Sequence, residues 1–154
     1  SFASGNLNLI SMFEKHHTSQ DRQRIWREFR NRDDLTIEKI VEEFSYVKVL
    51  DRYLDYYTPS SWPDVFTILY DGYFCQTGTT LLMIATLDYK GFIKDDTLVL
   101  PVISNNDIGN TGIVFELDGK FLNFSPGEMA LKETALEHGT LFQTHKVPKK
   151  SIYS

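Results

Sequence analysis

Apolar side chains recur at steps of three or four residues through the first half of the chain, the spacing that aligns them on one face of a helix. The longest series predicts a helix over residues 37–56. Four further helices are predicted, over residues 6–16, 21–32, 62–70 and 77–89, the last of them mostly buried. Ser61 is expected to cap the fourth helix, with Pro63 in its first turn, where a missing N–H costs nothing.

Beyond Gly91 the pattern changes to short runs rich in β-branched and aromatic residues, which is typical of strands. Four strands are predicted, over residues 97–103, 113–117, 120–124 and 140–147. Asp118-Gly119 separates the second from the third, and this pair favours a tight hairpin because both positions tolerate positive φ. A polar loop is expected over residues 104–112 and a short helix within residues 126–137.

This order of elements predicts an α+β fold, with N-terminal helices packed on a small C-terminal antiparallel sheet containing the Asp118-Gly119 hairpin. Residues 1–154 are expected to form a single domain, because that length is usual for one domain. A composition that is 42% hydrophobic and 14% aromatic supplies enough apolar area for a core. No apolar run approaches the ~18 residues that span a bilayer, so no membrane contact is expected.

Charge and cysteine content narrow the classes of function. The net charge of −5 repels phosphate backbones, so nucleic acid is an unfavourable partner and the protein is expected to be soluble. Cys75 is the only cysteine, which excludes an internal disulfide and predicts a reducing, cytoplasmic location. Without clustered histidines or a glycine-rich phosphate loop, the sequence predicts neither a metal nor a cofactor. The first residues lack the basic and apolar regions of a signal peptide.

Cys75 is the first candidate for chemistry, because it precedes the predicted helix over residues 77–89. Helix N-termini favour anions, so a thiol there can become a nucleophile. The competing interpretation is a small buried apolar residue, since free cysteine is among the most buried residue types. A nucleophilic cysteine also needs a base, usually histidine, and a residue that orients the base.

The order of a cysteine at a helix start followed by strands resembles the papain-like and transglutaminase-like cysteine hydrolases. The resemblance implies a histidine at the head of a following strand and an Asp or Asn on the next strand. Asn123 can fill the second place, but residues 110–112 hold no histidine at the first. His138 and His145 remain as alternative bases. The element order therefore supports a relic of that fold better than an active hydrolase.

Arginines crowd the predicted helix over residues 21–32, and a basic helix can bind phosphates or an acidic partner. The candidate binding residues there are Arg22, Arg24, Arg27 and Arg30. The alternative is that they pair with acids of the next helix. Those acids are Glu38, Glu42, Glu43 and Asp51.

A second candidate surface is the corner over residues 56–64, where prolines and aromatic residues lie close together. Trp62 and, further on, Tyr73 are candidate binding residues of an aromatic ledge. The alternative is structural: the corner fixes the angle between two helices, with Trp62 buried at their junction.

Several stretches of this region also resemble small uncharacterised proteins of tailed bacteriophages, across about residues 50–125. The stretches are Ser61-Trp62-Pro63-Asp64-Val65-Phe66-Thr67-Ile68-Leu69, Gly72-Tyr73-Phe74-Cys75, Leu82-Met83, Thr86-Leu87, Asp118-Gly119-Lys120 and Leu122-Asn123-Phe124-Ser125. This resemblance implies a phage origin and a location in the host cytoplasm, and it brings no settled activity.

The leading hypothesis is therefore a non-enzymatic accessory or interaction protein that contacts a protein partner. Its candidate surfaces are the arginine helix and aromatics near Tyr56, Tyr57 and Tyr73. The first alternative is a cysteine-dependent hydrolase or transferase using Cys75. The second is phosphate or nucleic-acid contact through the arginine helix. The oligomeric state is left open.

Overall fold

The computed structural model describes residues 18–46 and 53–154. Its N-terminal part is helical and its C-terminal part forms an antiparallel sheet, which confirms the predicted α+β fold class. The helices before the sheet are α1 (Ser19–Arg30), α2 (Ile37–Ser45), α3 (Val65–Asp71) and α4 (Gln76–Tyr89). The predicted helix over residues 6–16 lies outside the described residues.

Each of these helices starts at a side chain that accepts a hydrogen bond from the backbone of its first turn. Thr18 forms a capping box with Asp21 at α1, and Thr36 caps α2 through Lys39 N. Such caps satisfy N–H groups that have no partner within the helix. At α4 the capping atom is the Cys75 sulfur, which accepts from Gly78 N.

Helix α4 is the centre of the core. Its buried residues include Thr77, Gly78, Thr80, Leu81, Leu82, Met83, Ile84, Ala85, Thr86 and Leu87, so nearly every face is covered. A helix that is apolar on all sides must be packed on all sides. Trp26 of α1 donates from Nε1 to Thr86 Oγ1 at 3.0 Å, which satisfies the indole inside the core.

The described sheet contains six strands, all paired antiparallel. They are β1 (Thr97–Asn105), β2 (Asn110–Ile113), β3 (Phe115–Leu117), β4 (Lys120–Leu122), β5 (Met129–Leu131) and β6 (Gly139–Pro148), with α5 (Lys132–His138) between β5 and β6. Strand β1 pairs with β6 along one edge, and with β2 and then β3 along the other. The Asp118-Gly119 turn joins β3 to β4, with φ of 51° and 78°, which confirms the predicted hairpin.

A proline in β1 explains why β2 and β3 are separate strands. The Pro101 carbonyl accepts from Val114 N at 3.0 Å, so the main-chain groups of Pro101 face that edge. Proline has no N–H, and the Val114 carbonyl therefore receives no ladder hydrogen bond from it. The strand opposite β1 is broken at Val114, between β2 and β3.

Two predicted helices differ from the structure. The helix predicted over residues 37–56 ends at Ser45; residues 47–52 lie outside the described residues, and residues 53–55 are not helical. The fourth helix starts at Val65, because Asp64 rather than Ser61 accepts from Thr67 N at 2.9 Å. Pro63 therefore precedes the helix, and Pro59–Ser61 forms a separate 3-10 turn.

The prediction for the sheet was also wrong in two places. The segment 104–112, expected to be a loop, contains the end of β1 and most of β2, so only the turn between them is irregular. The segment 126–137 holds strand β5 before α5, because residues 129–131 pair with β4. The predicted last strand over residues 140–147 is confirmed as β6, one residue longer at each end.

A hydrogen bond and an ion pair hold the C-terminal residues against the end of α4. Tyr153 donates its hydroxyl to Asp88 Oδ2 at 2.7 Å, and Lys149 Nζ lies 3.0 Å from Asp88 Oδ1. Burial of the phenol, followed by its hydrogen bond to Asp88, raises the pKa of Tyr153 above its usual value. Folding therefore favours the neutral phenol.

We expect Tyr153→Phe to change how stability depends on pH. In the unfolded chain the phenol ionises near pH ~10, so its stabilising contribution is complete below that pH and is lost as the pH rises above it. The variant should lose about 1 kcal/mol of unfolding free energy at pH 7 and then decline less than wild type above pH ~10. Urea denaturation measures both, with the exposed Tyr70→Phe as the control.

Candidate binding cleft

A cleft of about 520 Å³ lies between the N-terminal half of α4 and the edge of β2. Residues of α2, the segment after α2 and the chain following β4 complete its wall. Its described lining residues are Phe44, Ser45, Tyr53, Leu54, Tyr56, Cys75, Gln76, Thr77, Thr79, Thr80, Met83, Ile103, Asn105, Ile108, Asn110, Thr111, Gly112, Ile113, Val114, Asn123, Phe124 and Pro126. A volume of this size is typical of ligand sites.

The cleft exists because β4 leaves the sheet at Asn123. This residue has φ of 62°, a left-handed conformation that asparagine tolerates better than most residues. Its Oδ1 accepts from Gly127 N at 2.7 Å, and its Nδ2 donates to Val41 O at 3.3 Å. A second donation from Nδ2 reaches Met83 Sδ at 3.3 Å. The Asn123 amide therefore fixes a corner that turns the chain away from β2.

Gln76 occupies part of the edge that this corner leaves open. Its Oε1 accepts from Ile113 N at 3.1 Å, and its Nε2 donates to Ile113 O. These are the two hydrogen bonds that a residue of a neighbouring strand would make. One side-chain amide thus replaces the missing strand at Ile113.

Gly112 leaves the space that this amide needs. A Cβ atom at position 112 would collide with Gln76 Oε1 and lie 2.7 Å from Gln76 Cδ. Residues 110–112 are the place where the resemblance to cysteine hydrolases implied a histidine. In this chain the amide of Gln76 packs against Gly112 there.

Cys75 lies in the cleft wall with 3% of its surface exposed. Its sulfur accepts from Leu54 N at 3.2 Å and from Gly78 N at 3.4 Å. The first bond joins the segment after α2 to α4, and the second caps α4. The thiol therefore takes part in two structural contacts, as the buried-cysteine interpretation expects.

The histidines predicted as alternative bases lie elsewhere. His138 Nδ1 is 3.2 Å from Asp107 Oδ2, at the far end of α5. His145 Nε2 is 2.8 Å from the carbonyl oxygen of Tyr56, which can only accept, so this nitrogen carries the proton. Neither is among the described residues that line the cleft, whereas Cys75 and Asn123 both are.

The arginines of α1 have partners other than the acids of α2. Arg22 donates to Leu69 O at 2.7 Å and to Tyr70 O at 2.6 Å, near the C-terminus of α3. Arg24 pairs with Asp21 and Glu28 of its own helix. The expected pairing with Glu38, Glu42 and Glu43 is wrong for Arg22 and Arg24, whose described partners are these other groups. Asp51, the fourth acid of that alternative, lies outside the described residues.

Arg30 is held by aromatic rings instead of carboxylates. Its guanidinium carbon lies 4.5 Å from the Trp26 ring and 4.4 Å from the Tyr89 ring, between α1 and α4. Arg27 is exposed. Of the four candidate phosphate-binding residues, Arg22 and Arg30 therefore join α1 to neighbouring helices, and Arg24 pairs within α1.

The aromatic corner is a structural junction. Trp62 is partly buried, and its Nε1 donates to Asp55 O at 2.7 Å. Its ring meets the His145 ring edge-on, with centroids 6.0 Å apart. A hydrogen bond from Tyr57 N, followed by one from the Thr58 hydroxyl, lowers the pKa of the Asp55 carboxyl.

Tyr73, the other predicted aromatic contact, is also only partly exposed. Its carbonyl approaches Gly78 so closely that a Cβ atom there would collide with it. Tyr73 thus bounds the start of α4 and does not form a free ledge.

The described lining of the cleft carries no charge. None of these residues is Asp, Glu, Lys, Arg or His, although Asp, Glu, Lys and Arg make up 24% of the chain. Its polar groups are amides and hydroxyls, and its apolar groups include the exposed Tyr53 and Ile108 at the rim. A charged group placed against this described lining would lose hydration without gaining a counter-ion from it.

The comparisons with known proteins give no relative for this arrangement: no family model matches the chain, and neither a curated protein nor a solved structure matches it. No described helix is long and apolar enough to cross a membrane. The described residues contain no cluster of three or more potential metal ligands.

We expect Gln76→Ala to destabilise the protein, because it leaves the N–H and C=O of Ile113 without partners. The loss of unfolding free energy should be about 1–3 kcal/mol, measured by urea denaturation. The exposed Gln143→Ala is the matched control and should change it by less than about 0.5 kcal/mol.

Gly112→Ala should produce a similar loss, because the new methyl group displaces the Gln76 amide. The double variant should lose clearly less than the sum of the two single losses, since both changes break the same contact. Additive losses would show that the Gln76–Ile113 contact does not depend on Gly112.

Proposed function

We propose that this protein is a non-enzymatic interaction protein whose binding site is the cleft beside α4, with its uncharged described lining. The observation that carries the proposal is that each place of a cysteine-hydrolase arrangement has a structural task. The Cys75 sulfur caps α4, the Asn123 amide fixes the corner after β4, and Gln76 fills the space beside Gly112.

The hydrogen bonding of Asn123 bears most directly on catalysis. A residue that orients a catalytic base must direct its side-chain oxygen or nitrogen at that base. Asn123 directs Oδ1 at Gly127 N and Nδ2 at Val41 O and Met83 Sδ, which are all internal groups. Its side chain would have to break these hydrogen bonds in order to orient an imidazole.

The chemistry of the cleft favours a neutral ligand. Amide and hydroxyl groups can both donate and accept, and they bind neutral polar groups without the cost of burying a charge. The lining therefore favours an uncharged part of a protein partner over a phosphate. Three of the four candidate arginines of α1 already contact carbonyls, acids or rings, which gives little support to phosphate or nucleic-acid binding.

The second candidate function is a cysteine-dependent hydrolase or transferase using Cys75. The observation in its favour is that the sulfur lies at the N-terminus of α4 in the same cleft as Asn123. This function requires a base within hydrogen-bond reach of the sulfur or one water away. The two described contacts of the sulfur are both backbone N–H groups, which do not act as bases.

A phage origin and action in the host cytoplasm go with the leading proposal. The sequence resemblance to small phage proteins motivates the phage origin. The free, buried Cys75 fits the cytoplasmic location, because unpaired thiols persist in reducing compartments.

We expect Cys75 to react with iodoacetamide more slowly than free cysteine, because only 3% of the residue is exposed. Intact-mass spectrometry over time measures the rate, and urea-unfolded protein is the control that should react like free cysteine. Cys75→Ser should remain folded, since serine is a good N-cap. A folded-state rate above that of free cysteine would contradict the proposal and favour the hydrolase.

A further inference from the structure

On the edge of β2 that faces the cleft, the N–H and C=O of Thr111 have no described hydrogen-bond partner. The direction of these groups follows from Ile113, which directs its own N–H and C=O away from β1, toward Gln76. Successive residues of a strand direct these groups to opposite edges, so Gly112 faces β1 and Thr111 faces the cleft. The pairing of Thr111 with Ser104 is consequently one without direct hydrogen bonds.

The neighbouring positions on this edge are already occupied. Gln76 satisfies Ile113 on one side, and on the other side the chain turns back at Gly109, which donates to Asn105 O at 2.8 Å. Thr111 lies between them and lines the cleft. The open edge is therefore a short slot that begins where the Gln76 amide ends.

We propose that this slot binds an uncharged, extended peptide segment of a protein partner, which adds to β2 as a strand by pairing with the Thr111 N–H and C=O. This inference rests on the proposed function and names its ligand. An added strand continues the line of the Gln76 amide, which makes at Ile113 the same two hydrogen bonds that the peptide makes at Thr111.

The side chains around the slot select the peptide. Strand residues direct alternate side chains to opposite faces, so one set enters the cleft and the other faces solvent. The inward set meets the exposed side chains of Asn110 and Thr111 and an apolar wall that includes Met83 and Phe124. The Asn105 amide behind them already donates to Phe124 O and accepts from Asp107 N. With no described charged residue in the lining, an inward Asp, Glu, Lys or Arg would be buried without a partner.

The test uses two libraries of end-capped octapeptides displayed for selection against the full chain. One library is randomised over uncharged residues, and the other carries Asp or Lys at the central positions. We expect enrichment from the first library and not from the second. Recovered peptides are then synthesised, and their Kd is measured by fluorescence anisotropy.

Thr111→Pro is the decisive variant, because it removes the N–H that faces the slot and leaves the bonds between β1 and β2 in place. We expect it to weaken the recovered peptides about tenfold or more. Thr144→Pro is the matched control. Thr144 of β6 pairs with Pro101, whose main-chain groups face the other neighbour of β1. The Thr144 N–H therefore also points away from β1, at the opposite edge of the sheet.

Two further measurements keep the test independent of the folding of one variant. Thr111→Val retains the backbone and should bind within about twofold of wild type, since the pairing is made by main-chain groups. On wild-type protein, N-methylation of the peptide should abolish binding at one internal position and be tolerated at its neighbours, because alternate N–H groups face away from β2.

The inference is overturned if no uncharged peptide is enriched, if charged peptides bind equally well, or if Thr111→Pro and N-methylation leave Kd unchanged. Those results leave the non-enzymatic proposal standing. Cleavage of a bound peptide that disappears in Cys75→Ser would instead overturn the proposed function, and mass spectrometry of the recovered peptide distinguishes the two failures.

Discussion

The packing of α4 on all sides is the constraint on which the rest of the structure depends. Helices α2 and α3 and strand β2 contact it, and Trp26 of α1 reaches it through Thr86. The position of its first turn is tightly constrained, because Gly78 packs directly against the Tyr73 carbonyl. With the helix held there, Gln76 is presented to β2, and the cleft takes its position from that contact.

A second consequence follows from the way β4 ends. A strand that continued past Leu122 would cover the edge of β2 and close the cleft. The left-handed conformation of Asn123 prevents this, and its amide holds the diverging chain by donating two hydrogen bonds and accepting one. The same residue that the sequence suggests as part of a catalytic set is thereby the residue that opens the site.

Much of the fold could be predicted from sequence, because periodicity and turn chemistry are local signals. The spacing of Ile25, Trp26 and Phe29 indicated α1, and Asp118-Gly119 indicated the β3–β4 hairpin. The end of α2 was missed because apolar spacing continues in the sequence after the helix stops. Strand β5 was missed because Met129, Ala130 and Leu131 carry no strong strand preference, and their pairing with β4 decides their conformation.

The candidate site could be predicted only in part. The prediction singled out Cys75 and Asn123, and both line the cleft. It missed Gln76 and Gly112, because the Gln76 amide meets the β2 edge at Ile113, 37 residues further along the chain. It also missed Thr111, which lines the same cleft. No local pattern marks a glutamine that acts as a strand neighbour. A glycine in an otherwise β-forming run, as at Gly112, was the one available signal of a close approach.

Pro101 gives the cleft a property that its lining does not explain. Because this proline breaks the partner strand at Val114, β2 and β3 need not share one straight axis. Any residue with an amide hydrogen at position 101 could join the two strands into one. Position 101 belongs to β1 and is not among the described residues that line the cleft, so a change there can alter the course of the β2 edge while every described lining residue stays the same.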